Sequence, residues 1–155
     1  MREILFRGKR CDNGEWVQGF YVRAEHHWHK HGVHKDWIVC GASANGGWFA
    51  LHNKYAVKAE TVGQFTGLTD KNGRKVFEGD ILHQYRKYRD EYYGECVVEY
   101  GAFNCSCCDG VYGWYLDGGD IRDFGTDEYG NGAEYEVCGN IHDNPENLEG
   151  AEDGK

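Results

Sequence analysis

Short runs of apolar, β-branched and aromatic residues recur along the chain and are separated by turn residues, a pattern typical of β-strands. The first two runs, residues 3–7 and 15–22, flank Asp12, Asn13 and Gly14. An Asn-Gly pair favours the left-handed backbone of a tight turn. The chain is therefore predicted to begin with a β-hairpin.

A second hairpin is predicted a little further along the chain. Its arms are the apolar runs 37–40 and 48–51, and its loop at 44–47 contains an Asn-Gly-Gly sequence that can adopt positive φ. Both arms are apolar enough to be predicted as core strands.

The strongest local signal lies in the middle of the chain. A hairpin is predicted with arms at 62–68 and 75–77 around the Asp-Lys-Asn-Gly turn at 70–73. The second arm leads into Gly79 and Asp80, where we expect the glycine to supply an unusual φ and the carboxylate to accept backbone N–H bonds. Small SH3-like barrels often turn corners in this way, by analogy only.

Two later segments, 95–100 and 134–141, place polar residues at alternate positions. Alternation puts the remaining side chains on the opposite, core-facing side of a strand. The predicted inward positions are Cys96, Val98 and Tyr100 in the first segment and Tyr135, Val137 and Ile141 in the second. The second strand is expected to close the sheet.

The end of the chain departs from the strand pattern. Asn144 precedes Pro145 as an N-cap precedes the first residue of a helix, which predicts one short C-terminal helical turn at 146–148. Residues 150–155 are expected to fray as a disordered tail. Residues 1–149 are then predicted to form a single domain.

Composition favours the same fold class. The 155 residues include 23 Gly, one Pro and 15 % aromatic residues, and Gly-rich turns between aromatic runs indicate strands. We predict a mainly β fold of antiparallel sheets with a partly open, SH3-like barrel.

Apolar runs and cysteine usage bear on the location of the chain. No run reaches the roughly 18 apolar residues that a membrane helix needs, and the first residues do not resemble a signal peptide. The seven cysteines are an odd number with no export signal. A soluble, cytoplasmic protein with reduced thiols is expected.

Charge is distributed unevenly along the chain. Residues 1–100 contain 15 Lys and Arg against 13 Asp and Glu, whereas residues 101–155 contain 2 against 13. Nucleic acid is not the expected partner, because its binding depends largely on Lys and Arg, and the basic segment 86–89 is interpreted as a solvated loop. The acidic region is either a solubilising surface or a docking site for a basic protein. The acidic residues considered for docking are Asp117, Asp120, Asp123, Asp127 and Glu128.

Two segments contain potential metal ligands. His27, His29 and His31 would share one face of a strand, and Cys105 and Cys108 have C-x₂-C spacing. Two imidazoles and two thiolates could complete a tetrahedral zinc site if the segments meet. A second cysteine pair is missing and exposed loops explain the composition as well, so no metal ligand, cofactor or catalytic residue is assigned.

Motifs of common enzyme classes are absent from the sequence. It has no P-loop, no G-x-G-x-x-G, no G-x-S-x-G elbow and no H-E-x-x-H. Seven cysteines and eight histidines leave open a Cys and His nucleophilic pair, with no residue singled out.

Three stretches resemble the YopX protein family. They are residues 2–20 (REI, FRG and WV), 59–82 (ETVGQFTGL, DKNG and FEGDI) and 135–148 (GNI and NPE), and the middle stretch is the most specific. The resemblance implies a mainly β fold and an origin in phage or prophage genomes. The family is one of uncharacterised proteins, so no catalytic residue is carried over. Four positions in the middle stretch are interpreted as structural: Gly63, Gly67, Gly79 and Asp80.

Together these features predict a non-enzymatic phage or prophage accessory protein in the bacterial host cell. It is expected to act by binding a host or phage protein, with a basic protein as the favoured partner and no membrane association. The alternative is a zinc-stabilised module associated with nucleic acid, and the third hypothesis is a cysteine-dependent enzyme.

Overall fold

The fold is known from a computed structural model that describes residues 3–26, 33–45, 48–86, 91–105, 108–117 and 133–145. The elements in these ranges are β1 (Phe6–Lys9), β2 (Trp16–His26), β3 (Val33–Asn45), β4 (Trp48–Val57), a 3-10 helix (Ala59–Thr61), β5 (Gly63–Thr69), β6 (Lys75–Phe77), β7 (Asp80–Arg86), β8 (Glu91–Cys105), β9 (Cys108–Asp117) and β10 (Ala133–Asn140). No helix in these ranges is long and apolar enough to cross a membrane.

The strands form two antiparallel sheets that are not closed. Their strand orders are β4-β3-β2-β1-β5-β6 and β10-β7-β8-β9. The predicted mainly β class is therefore confirmed. The closer likeness to an SH3 barrel stays a prediction.

By packing, the chain divides into two compact units, residues 1–65 and 66–155, with the division inside β5. The single domain over residues 1–149 stays a prediction. The predicted helical turn at 146–148 and the tail at 150–155 lie outside the described residues.

In the first unit the predicted N-terminal hairpin is confirmed. Strand β1 pairs with β2 in an antiparallel register that places Phe6 opposite Gly19, and Gly14 in the turn has a φ of 74°. Gly19 also lies against β3, because a Cβ at this position would sit 2.3 Å from the carbonyl oxygen of Val39. The sheet therefore leaves no room for a larger residue there.

The second hairpin is present, but the described side chains of its second predicted arm, at residues 50 and 51, are not in the core; those of residues 48 and 49 lie outside the description. Strands β3 and β4 pair from the turn onward, and Ile38 lies opposite Tyr55. Ile38 is fully buried, whereas Leu51 is 43 % exposed and Ala50 is exposed. The strands are longer than the sequence indicated, so residues 48–51 pair near the turn, beyond the buried part of β3.

The second unit has its core on one face of the four-stranded sheet. The buried cluster contains Val76, Leu82, Cys96, Val98, Leu116, Ala133, Tyr135 and Val137. The predicted inward positions are thus confirmed in four of six cases: Cys96, Val98, Tyr135 and Val137. Tyr100 was predicted wrongly, since it is 56 % exposed, and Ile141 is only half-buried.

Strand length and sheet position explain these differences. Strand β8 has 15 residues and extends beyond the core, so its alternation continues into solvent at Tyr100. Strand β10 ends at Asn140, so Ile141 lies in the turn that follows it. Strand β10 itself pairs with β7 and lies at one edge of the described sheet. The expectation that this strand closes the sheet is wrong, because the described strands pair with β10 on one side only.

The corner at Gly79 and Asp80 has the predicted form. Gly79 has a φ of 75°, and the Asp80 carboxylate accepts the backbone N–H of Phe77 at 2.8 Å. Gly67 also has a positive φ, 92°. The interpretation of these residues as structural agrees with this geometry.

Candidate functional site

A cluster of three chemically versatile side chains lies on the four-stranded sheet of the second unit. His83 is on β7, Glu95 on β8 and Cys138 on β10. The imidazole nitrogen, a carboxylate oxygen and the thiol sulfur all lie within 4.8 Å of one another. His83 Nε2 lies 2.9 Å from Glu95 Oε1.

Strand register brings these residues together on the face opposite the core. His83 lies directly opposite Glu95 in the pairing of β7 with β8. On β10 the register shifts between Val137 and Gly139, so Cys138 is the extra residue of a β-bulge. Val137 faces the core, and alternation turns Cys138 toward the opposite face, where His83 lies.

The Cys138 thiol is a neutral group in this setting. Burial raises the pKa of Cys138 above the ordinary value, and the negative charge of Glu95 raises it further. The thiol donates a hydrogen bond to the carbonyl oxygen of Ile81, with the sulfur 3.2 Å from the oxygen. At neutral pH it is therefore protonated and not an activated nucleophile.

Aromatic rings flank the imidazole. The rings of His83 and Tyr92 meet edge to face with centroids 5.2 Å apart, and Tyr85 lies 6.4 Å from His83. Lys71 sits over the Tyr85 ring at 3.6 Å and forms an ion pair with Glu136 at 2.9 Å. Two aromatic rings thus lie beside His83, and the ion pair adjoins one of them, Tyr85.

A second feature of this unit is an exposed row of aromatic residues on β8 and β9. Pairing places Tyr100 opposite Trp114 and Ala102 opposite Tyr112. Tyr100 and Tyr112 are 56 % and 75 % exposed, and the rings of Tyr100 and Trp114 meet at 4.9 Å. We call these four residues the aromatic ribbon face.

The aromatic ribbon face continues the core side of the sheet. Val98 lies opposite Leu116, both belong to the core cluster, and Trp114 packs against that cluster. Two residues further along, the same side carries Tyr100 on β8 and Trp114 on β9. Two residues beyond Trp114 it carries Tyr112, and both tyrosines are exposed to solvent. The sheet therefore presents a continuous apolar stripe that is buried at one end and exposed at the other.

The sequence matches the family model described as YopX protein over residues 5–149. The chain belongs to the YopX family. The crystal structure of protein EF1440 from Enterococcus faecalis is similar to this YopX chain, with a TM-score of 0.56 and 23 % sequence identity. The match covers 96 % of this chain and 99 % of that chain, and at this identity it concerns the fold. No curated protein matches the sequence.

The sequence-based zinc hypothesis for the YopX chain falls largely outside the described residues. His27, His29 and His31 all lie outside them. Cys105 and Cys108 face each other in the backbone register of β8 and β9, and their side chains are outside the description. The hypothesis that the two segments share a metal stays a hypothesis.

The acidic and basic segments are described only in part. Asp117 ends strand β9, and the other acidic residues considered for docking (Asp120, Asp123, Asp127 and Glu128) lie outside the described residues. Arg86 ends β7 and lies 4.0 Å from Glu91, while residues 87–89 lie outside the description. The roles assigned to both segments stay predictions.

Burial of three described thiols, Cys40, Cys96 and Cys138, does not favour them as the nucleophile of a cysteine-dependent enzyme. Burial raises the pKa of Cys96 to about 12, and burial also raises the pKa of Cys40. An activated nucleophile needs the opposite shift, toward the thiolate. Cys40, Cys96 and Cys138 are therefore poor candidates for such a role.

The cluster of His83, Glu95 and Cys138 was missed by sequence reasoning. The three residues are 12 and 43 positions apart, so they form no local motif. The available signal was that one of them, Glu95, lies at an outward position of a predicted strand. Only the pairing of β7 with both β8 and β10 brings them together.

Proposed function

We propose that this YopX-family chain is a protein-binding module that uses the aromatic ribbon face as its docking surface. The observation that carries the proposal is the exposed row of Tyr100 and Tyr112 that continues the core stripe. Single exposed apolar residues are common, but a contiguous aromatic row next to a core is typical of a binding surface. Aromatic residues are also enriched where proteins bind each other.

The charge of the chain beyond residue 100 favours a basic partner. Beyond residue 100 the chain has 13 acidic and 2 basic residues, which would steer a cationic protein and repel nucleic acid. Arg and Lys side chains also bind the faces of aromatic rings. The proposed role is that of a non-enzymatic phage or prophage accessory protein that engages a basic protein of the host or the phage.

Strand β9 offers a means of attachment beside the rings. It lies at an edge of the sheet among the described strands, and an extended segment of a partner can pair with such an edge through its main chain. Contacts with the rings would then select which side chains the bound segment carries. The acidic charge of the chain would favour segments rich in Lys and Arg.

The test is capture from the host bacterium followed by quantitative binding of the purified partner. The double variant Tyr100→Ser/Tyr112→Ser should lose most of the affinity, and affinity for the unaltered chain should fall as salt rises. Phe20→Ser is the matched control, because Phe20 is 63 % exposed but lies in the first unit. It should bind like the unaltered chain.

Three outcomes would overturn the proposal. One is a captured partner whose affinity changes neither with the tyrosine substitutions nor with the salt concentration. Another is self-association that the double variant abolishes, since the aromatic ribbon face would then be an interface between copies. The third is micromolar binding of duplex or single-stranded oligonucleotides at low ionic strength, which would favour the nucleic-acid alternative.

A further inference from the structure

The cluster of His83, Glu95 and Cys138 contains one ligand atom of each type that a borderline-soft metal ion accepts. We propose that these three side chains bind a divalent transition-metal ion, with zinc the best suited. The proposal is independent of the aromatic ribbon face. No metal ligand was assigned from the sequence, because these three residues form no local motif. Only strand pairing brings them together.

The donor set selects the class of ion. Zinc is bound in proteins by cysteine sulfur, histidine nitrogen and carboxylate oxygen. Magnesium and calcium prefer all-oxygen sites, which a thiol and an imidazole do not provide. The mixed set of His83, Glu95 and Cys138 therefore favours zinc or cobalt over the hard cations.

The geometry needs only a small adjustment to close around an ion. With metal–ligand distances of roughly 2.0 to 2.3 Å, ligand atoms in a tetrahedral site lie roughly 3.5 Å apart. The three atoms here already lie within 4.8 Å of one another, and His83 Nε2 and Glu95 Oε1 are closer still at 2.9 Å. Rotation of the Glu95 and Cys138 side chains can supply the difference, while the strands hold the backbone in place.

Three protein ligands leave one position for water or an exogenous group. The His83 and Glu95 side chains are 31 % and 33 % exposed, so solvent reaches the cluster. Glu136 lies opposite His83 on β10, but its carboxylate is held by Lys71 at 2.9 Å and by Asn72 at 3.2 Å. The chemistry therefore points to an open site of three ligands.

Binding would replace the proton of the Cys138 thiol. A metal ion takes the thiolate, so the sulfur loses its proton to solvent and its hydrogen bond to Ile81. His83 Nε2 must also lose the proton that it shares with Glu95 before it can bind the ion, so this proton moves to Nδ1 by exchange with solvent and the hydrogen bond between His83 and Glu95 is lost. The neighbouring rings of Tyr85 and Tyr92 would shield one side of the ion from water.

Cobalt titration of the full chain, first stripped with a chelator, tests the site. One equivalent of Co²⁺ should give a sulfur-to-cobalt charge-transfer band and the visible absorption of a four-coordinate ion, and Zn²⁺ should remove both. Cys138→Ser should abolish the charge-transfer band. Glu95→Gln and His83→Asn should weaken binding by about tenfold or more.

Controls separate this site from other thiols and from loss of fold. Cys11→Ser removes an exposed cysteine of the first unit and should leave the band unchanged. Glu95→Gln keeps the size of the side chain, so it should retain the circular dichroism of the metal-free chain while binding more weakly. Zinc should also raise the thermal midpoint of the unaltered chain more than that of Glu95→Gln.

Other results would overturn the proposal. A band that survives Cys138→Ser but disappears in Cys105→Ser would place the metal at the other cysteine segment. Absence of any cobalt band, or equal affinity in Glu95→Gln and the unaltered chain, would show that the cluster is not a metal site.

Discussion

Gly79 shows how a single backbone conformation determines a corner of this fold. Its φ of 75° lies in the left-handed region that side chains disfavour. Its N–H donates to the carbonyl oxygen of Val98 at 2.8 Å, and its own carbonyl oxygen accepts the N–H of Ile141 at 2.9 Å. The residue thus links β8 to the turn after β10 while the chain enters β7.

Replacing Gly79 with valine should destabilise the fold by about 1–3 kcal/mol. A Cβ here would lie 3.4 Å from Ile141, which is an ordinary contact, so the cost comes from the backbone conformation. Chemical denaturation of Gly79→Val checks the expectation. Gly94→Val is the control, since a Cβ there meets nothing within 4 Å; an equal midpoint for both variants would contradict the argument.

At the scale of elements, the turn between β5 and β6 holds the edge strand β10. The Asp70 carboxylate accepts the N–H groups of Asn72 at 2.9 Å and Arg74 at 2.8 Å. Its other oxygen accepts the N–H of Val137 at 3.1 Å. The backbone N–H of Lys71 also donates to the carbonyl oxygen of Tyr135 at 2.9 Å. One buried carboxylate therefore shapes the turn and fastens it to a distant strand.

Asp70→Ala should cost about 2–4 kcal/mol, because it leaves three backbone N–H groups without their charged acceptor. Urea unfolding should show the loss as a lower midpoint. Asp12→Ala is the control: Asp12 pairs with Arg10 at 2.6 Å on the surface and should change stability by less than about 0.5 kcal/mol. Similar losses in both variants would show that the link to β10 contributes little.

The elements also show where sequence reasoning succeeded and failed. The hairpin of β5 and β6 and the corner at Gly79 were predicted because their turn residues determine local conformation. The link from Asp70 to Val137 was missed, because the two residues are 67 positions apart. The exposure of Leu51 and Tyr100 was missed too, since alternation specifies a face but not where the core ends.

At the scale of the whole molecule, the described thiols make stability dependent on pH in the alkaline range. Burial raises the pKa of Cys96 from 9.0 to about 12. Between these values the folded chain keeps a proton that the unfolded chain loses. The stabilisation is complete below pH 9 and is lost as pH rises toward 12.

We expect the free energy of unfolding to fall above pH 9, by at most about 1.4 kcal/mol per pH unit for the Cys96 proton. Cys138 and Cys40, whose pKa values are also raised by burial, add to the decline. Urea unfolding at a series of pH values measures it. Cys96→Ala should show a shallower slope just above pH 9, and Cys11→Ala serves as control; a slope unchanged by Cys96→Ala would contradict the assignment.

The sequence by itself determined the class of this fold and the turns between its strands. Alternation, Asn-Gly pairs and the Gly-Asp corner act within a few residues, so they can be recognised without the rest of the chain. The tertiary structure alone decided which strands pair, where the apolar stripe leaves the core at Tyr100, and that His83, Glu95 and Cys138 share one face. Register across three strands and the bulge at Cys138 depend on contacts between distant residues, and no local pattern of side chains encodes them.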